Sequence, residues 1–96
     1  MTLEDAINQL GELDEDTIIC ARAPWSAASE AMVVNADAQN RVPREVTDQG
    51  FLYFLETDVA REVLEVFQGR PGGAAEKIAC LIYYATNDAY PAWVYT

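Results

Sequence analysis

The amino-acid sequence predicts an α+β fold, a small antiparallel sheet packed with about three helices in the order α-β-β-β-α-α. Three observations lead there: apolar residues recur at helical spacing in three segments, short β-branched or aromatic runs stand in three others, and glycine, proline or acidic breaks separate them. The chain has 96 residues, below the usual size of two domains and long enough for one core, so residues 1–96 are expected to form a single domain. Its hydrophobic share of 51% is that of a globular chain, since enough apolar surface exists to offset the entropy of ordering it.

Thr2 followed by Asp5 has the form of a capping box, and Leu3, Ala6, Ile7 and Leu10 then share one helical face, predicting a helix over about residues 3–10. Gly11 and the acidic stretch to Asp16 end it. Thr17 to Arg22 is short and β-branched and is expected to be a strand, and Pro24-Trp25-Ser26 a turn. Ala31 to Ala36 is a second strand, followed by a polar connection from Asp37 to Gly50. Phe51-Leu52-Tyr53-Phe54-Leu55 is apolar on both alternating faces and is expected to be a strand covered on both sides, the best core candidate. Thr57 is placed to cap a helix in which Val59, Val63, Val66 and Phe67 form the apolar stripe, with Gly69 as its left-handed stop. Arg70-Pro71-Gly72-Gly73 breaks the chain. A last helix, about Ala74 to Thr86, carries Ile78, Leu81, Ile82 and Ala85 inward and ends at Asn87, and residues 88–96 form a tail.

Charge is the outstanding feature. Sixteen Asp and Glu oppose six Lys and Arg, a net charge of -10. Direct binding to nucleic acid or to an anionic membrane is therefore disfavoured, and a charged partner should be basic. No apolar run approaches the roughly 20 residues that span a bilayer, and the N-terminus has no basic, apolar leader, so a cytoplasmic protein is expected. The chain has no histidine, which removes His general bases, His-based triads and His-containing zinc sites. The only lysine, Lys77, adjoins Glu76, and no nucleophile is paired with a base, so no catalytic residue, cofactor or metal is expected. Asp14-Glu15-Asp16 lacks the alternating oxygen ligands and the glycine of a calcium loop. The glycine-rich segment 69–73 lacks the Gly-Lys-Ser/Thr end of a phosphate loop. Cys20 and Cys80 each lie in an apolar run and are expected to be buried and reduced, with a disulfide between them as the alternative.

The acids fall in two groups. Glu4, Asp5, Glu12, Asp14, Glu15 and Asp16 give the side chains of the first 21 residues a charge of -6 with no base among them. Asp58, Glu62 and Glu65 are spaced i, i+4, i+7 on the second main helix, with Glu56 just before it and Arg61 placed as counter-charge to Asp58 and Glu65. At 1.5 Å rise per residue these three stand roughly 6 and 4.5 Å apart along the axis. That row can be a solvated helix face, or a surface that meets the Lys and Arg of a nucleic-acid-binding groove. Duplex DNA carries a charge every roughly 1.7 Å, so the row imitates one strand at best. The aromatic residues Tyr90, Trp93 and Tyr95 in the tail, and Trp25, either pack on the core or anchor a partner.

Phe51 to Glu56, Val63-Leu64-Glu65 and Tyr83 to Pro91 resemble segments of small bacterial or phage proteins. In size, acidity and lack of catalytic groups the chain is similar to anti-CRISPR proteins and toxin-immunity proteins, small inhibitors that often bind nucleic-acid-handling effectors. The resemblance is one of type and implies a non-enzymatic acidic inhibitor, anti-CRISPR-like or an immunity protein that neutralises a toxin; the clustered acids, and not the resemblance, give Asp58, Glu62, Glu65, Glu56, Glu12, Asp14, Glu15 and Asp16 as the expected contacts with a basic surface of such an effector. The competing expectation is an adaptor that binds through the aromatic tail.

Overall fold

The structure, a computed structural model, describes residues 1–39, 41–67 and 73–91. Its elements are α1 (Leu3–Asn8), β1 (Thr17–Ala21), β2 (Ala31–Asn35), α2 (Arg44–Asp48), β3 (Leu52–Glu56), α3 (Thr57–Phe67) and α4 (Ala74–Asn87). The class is α+β and the α-β-β-β-α-α order stands, with the five-residue α2 set into the connection between β2 and β3. Among the described residues no helix is long and apolar enough to cross a membrane.

The three strands form an antiparallel sheet in the order β2-β1-β3. Every residue of β1 is buried. Because strand side chains alternate, Ile19 and Ala21 face one way and Ile18 and Cys20 the other, and each side has its own apolar cluster. The larger joins Ile19, Ala21, Phe54 and Leu55 to Leu3, Ala6 and Ile7 of α1, Ala60, Val63 and Phe67 of α3, and Ile78, Cys80 and Leu81 of α4. The smaller joins Ile18 and Cys20 to Val46 of α2 and to Phe51, with Met32, Val34, Ala36 and Val42 packed at its margin. The polar connection thus covers the sheet's second face through a few apolar residues.

Two-sided cover therefore belongs to β1, whereas residues 51–55 were expected to have it. β3 is an edge strand, with Leu52 47% and Tyr53 45% exposed. It still supplies the core, because the pairing steps from Ile19↔Leu55 to Cys20↔Tyr53 and leaves Phe54 as an extra residue. Such a bulge lets two successive side chains, Phe54 and Leu55, enter the same cluster instead of alternating. Phe54 is fully buried and meets the Trp25 ring edge to face at 5.0 Å, while the Trp25 indole N–H donates to the Ala21 carbonyl at 3.2 Å. Trp25 is thereby a core residue with its polar atom satisfied, and the anchor alternative for it is dropped.

The capping box at Thr2 and Asp5 forms as expected, and hydrogen bonding from Thr2, its backbone N–H first and then its side chain, holds the Asp5 carboxyl below its ordinary value. Helix α1 stops at Asn8, and Leu10–Glu12 follows as a 3-10 turn, so Gly11 lies inside a turn and does not end the helix. In α3 the inward face is Thr57, Ala60, Val63 and Phe67. Val66, expected inside, is 44% exposed. The left-handed residue that closes α4 is Asp88, one position after the expected Asn87, with φ 54° and its N–H on the Tyr84 carbonyl at 2.8 Å. The expected stop at Gly69 and most of the break at 70–73 lie outside the described residues. Gly50 needs its freedom: its φ is +90°, and a Cβ there would stand 2.5 Å from the Arg22 guanidinium, which lies over the Phe51 ring at 4.3 Å and pairs with Glu30 at 3.0 Å.

Cys20 and Cys80 are free and buried, one in each cluster, so the sheet separates them and a disulfide is excluded. Burial pushes the Cys20 thiol up to about 11 and raises that of Cys80. Both thiols are therefore protonated near neutral pH and unreactive, and alkylation by iodoacetamide at pH 8 should proceed at the rate of global unfolding and become fast only in denaturant. Phe54→Ala should lower the unfolding free energy by about 3–5 kcal/mol in urea titration, because it opens a cavity under the bulge. Phe51→Ala, in the smaller cluster and nearer the surface, should cost less, about 2–3 kcal/mol.

An acidic cleft between the first strand and the third helix

β1 and α3 bring together acids that lie some forty residues apart in the chain. Glu15, Asp16, Glu56 and Asp58, all exposed, line an open cleft of about 300 Å³ with Thr17, Ile18 and Ala36 at its base. Two polar contacts from the first two turns of α3 produce this arrangement. At Thr57, the first residue of the helix, the hydroxyl is fully buried and lies 2.8 Å from the Thr17 hydroxyl, which is itself 2.6 Å from the Asp14 carbonyl. A carbonyl only accepts, so Thr17 donates to Asp14, and the Thr57 hydroxyl must donate to Thr17. The Thr57 side chain is thus engaged by β1, and the residue is the first of the helix, not the cap before it that was expected. Asp58, next in line, accepts the Val59 N–H at 2.8 Å.

One turn further on, Arg61 turns away from the acids it was expected to neutralise. Its guanidinium donates to the Leu10 carbonyl from Nε at 3.0 Å and from Nη2 at 2.9 Å, and to the Leu13 carbonyl from Nη2. The Leu10 carbonyl opens the 3-10 turn and already accepts the Leu13 N–H at 3.4 Å, and Leu13 caps the turn's C-terminus, so a cation there adds donors where the turn's carbonyls gather. Hydrogen bonds to a charged donor contribute roughly 1.5–3 kcal/mol, whereas exposed ion pairs contribute roughly 0–1 kcal/mol. The carbonyl site wins on magnitude. Residues 10–17 are in consequence held at one end by Arg61 and at the other by Thr57.

The acids are left without base. Among the described residues the ion pairs are Arg22–Glu30 and Arg44–Asp48, and neither involves the cleft or the α3 row. Asp58, Glu62 and Glu65 are all exposed, as their spacing predicts, and the row runs from the cleft at Asp58 to a shallower groove of about 230 Å³ at Glu65, lined by Leu10, Gly11, Arg61 and Leu64. Glu12 and Asp14 are exposed but line neither depression; Asp14 contributes its carbonyl, as described. Among the described residues no three His, Cys, Asp or Glu stand together closely enough to hold a metal ion.

Two participants were missed by sequence reasoning. Thr17 was visible only as a strand residue, and its pairing with Thr57 depends on the β1–β3 register. Asp88 was assigned to the tail, yet it reaches Tyr53: burial first, then the charges of Glu56, Asp58 and Asp88, raise that phenol above its ordinary value, while a backbone hydrogen bond at Glu56 acts in the opposite sense. Of the aromatic anchors, Tyr90 is half-buried and packs edge to face on Tyr84 at 5.1 Å. Trp93 and Tyr95 lie outside the described residues.

Arg61→Met should cost about 2–3 kcal/mol of stability, since it keeps the aliphatic stem but removes the charged donors to the Leu10 and Leu13 carbonyls. Arg61→Lys should recover only part, because an ammonium cannot reproduce the forked contact. Thr57→Val should cost about 1 kcal/mol. In each variant amide exchange should accelerate first over residues 10–17, and uniform acceleration across the chain would contradict a local clasp.

No curated protein and no solved structure matches the chain. A family model does, over residues 1–93, and its description is domain of unknown function DUF7716. With nearly the whole chain inside that match, the protein belongs to the DUF7716 domain family.

Proposed function

We propose that this protein works by binding, without catalysis, and that its acidic surface blocks a basic, nucleic-acid-binding surface of a partner protein. One observation carries the reading: the carboxylates of Glu15, Asp16, Glu56 and Asp58 converge on a single cleft that, among the described residues, has no Lys or Arg in its lining. Like-charge neighbours on a helix cost about 0.2–0.5 kcal/mol each, a cost that an interleaved cation would offset. Here the nearest available cation, Arg61, is committed to backbone carbonyls. A surface kept negative in this way attracts a basic partner over a distance and speeds encounter.

Catalysis by the cleft has less support. General-acid chemistry by a carboxyl needs an apolar environment to raise its pKa, and Glu15, Asp16, Glu56 and Asp58 are all exposed. The adaptor reading loses one of its three anchors, because Tyr90 packs against the protein's own Tyr84. The likeness to anti-CRISPR and toxin-immunity proteins belongs to the favoured reading, as both classes occupy the working surface of an effector.

The combined variant Glu15→Gln, Asp16→Asn, Glu56→Gln and Asp58→Asn tests it. These side chains are exposed, so the variant should fold as the wild type does, by circular dichroism and urea titration. A partner captured by crosslinking the wild-type protein in its native cells should bind the variant at least roughly tenfold more weakly, and wild-type binding should weaken as salt rises. The wild-type protein should also displace nucleic acid from that partner. Unchanged affinity of the folded variant, or a partner whose nucleic-acid binding is untouched, would sink the assignment.

A further inference from the structure

Among the described residues the outer edge of β3 is open. The strand pairs there with β1 on one side only, whereas the opposite edge of the sheet is partly occupied by the N-terminal residues, which bridge at Thr2↔Glu30 and exchange backbone hydrogen bonds from Leu3 to Ser29 and from Ala31 to Met1. Edge strands are usually protected by lysine, proline, an inward-pointing charge or a bulge, and of these β3 carries the bulge at Phe54. β3 reads Leu-Tyr-Phe-Leu before its single charge at Glu56. Leu52 and Tyr53, both about half exposed, stand on it. An uncharged, aromatic, proline-free edge of this kind is a template for a further strand.

Charge decides what that strand is. Glu56 closes β3, Asp58 follows at the start of α3, and Asp88 at the end of α4 lies near enough to act on Tyr53. A second copy of the chain would bring another net charge of -10 and another Glu56 against this edge, and nucleic acid would bring phosphates; both are repelled. A basic segment is attracted by the same groups. We propose that the outer edge of β3 accepts an extended segment of a partner protein as a fourth strand, main chain to main chain, with the segment's Lys or Arg side chains meeting Glu56, Asp58 and Asp88. This rests on the reading of the partner as basic and adds the way it is held: strand addition supplies affinity through backbone bonds, and flanking charges select the sequence.

A pair of probe peptides separates the two claims on the intact wild-type protein. The first is a short peptide alternating lysine with valine and threonine; the second is its twin, N-methylated at alternate residues along one edge, with the same charge but without donors for pairing. The expected result is binding of the first at least roughly tenfold tighter than the twin by fluorescence anisotropy, with slowed amide exchange confined to β3. Equal binding of both peptides overturns strand addition and leaves the acidic-surface reading standing. Binding of neither at low salt overturns both. If the outer β3 amides are already protected in the free protein, the edge is occupied by the chain itself or by a second copy, and the proposal fails.

Discussion

Because β1 lies between two strands and is buried on both faces, each of the other elements is placed by what it must cover. Five consecutive buried residues leave no solvent side, so the helices α1, α3 and α4 take one face and α2 with Phe51 the other. The second cover is thin. It still matters, since leaving Ile18 and Cys20 in water would forfeit about 1.5–3 kcal/mol for a side chain the size of isoleucine. The burial of β1 also determines how polar groups at its ends are satisfied. Thr17 opens the strand nearly buried, and its hydroxyl finds Asp14 and Thr57, which ties the acidic loop to the start of α3.

The acidic cleft is thus a by-product of core packing put to a different use. Helix α3 must present Ala60, Val63 and Phe67 to the sheet, and that rotation sets Asp58, Glu62 and Glu65 outward. The same rotation leaves Arg61 half-buried beside the 3-10 turn, where its planar fork meets the Leu10 and Leu13 carbonyls. Competition between a solvated carboxylate and a desolvated carbonyl for one guanidinium is settled by water: the carboxylate is well hydrated alone, and the carbonyls are not. The protein gains a clasp on residues 10–13 and retains unneutralised charge on its surface.

Fold class and most helix faces were legible in the residues, because they rest on local periodicity. The Thr2–Asp5 box, the inward Ile78 and Leu81, and the buried cysteines all follow from neighbours a few positions apart. What was hidden depends on pairing between distant segments. Thr17-Ile18-Ile19-Cys20-Ala21 and Phe51 to Leu55 are equally apolar, and only the sheet order decides which is central. The bulge at Phe54 breaks the alternation on which face assignments rest. Val66 fits the helical stripe with Val59 and Val63, but Ala60 is the residue that lets α3 approach the sheet, and this turns Val66 to solvent. Arg61 was read as an ion-pair partner because its i-3 and i+4 neighbours are acids; its true acceptors are backbone atoms about fifty positions away, and backbone carbonyls leave no mark in a sequence. Of the site, the α3 row and the loop acids were legible, while their convergence was not.

The edge of β3 and the net charge are two sides of one constraint. A bulge gives the strand its large inward side chains, Phe54 and Leu55, and so holds an aromatic, β-prone segment at the margin of the sheet. Unprotected, such an edge pairs with its own kind and aggregates. Lysine on the edge would prevent this, but it would also neutralise Glu56 and Asp58. Acids around the strand prevent it differently: they repel identical chains at every approach and weaken only when a basic chain arrives. On the proposed function, protection against self-association and preference for a basic partner come from the same carboxylates. Raising the salt concentration should therefore weaken both together, since the Debye length falls from about 10 Å at 0.1 M to about 3 Å at 1 M and the charges cease to act across the interface.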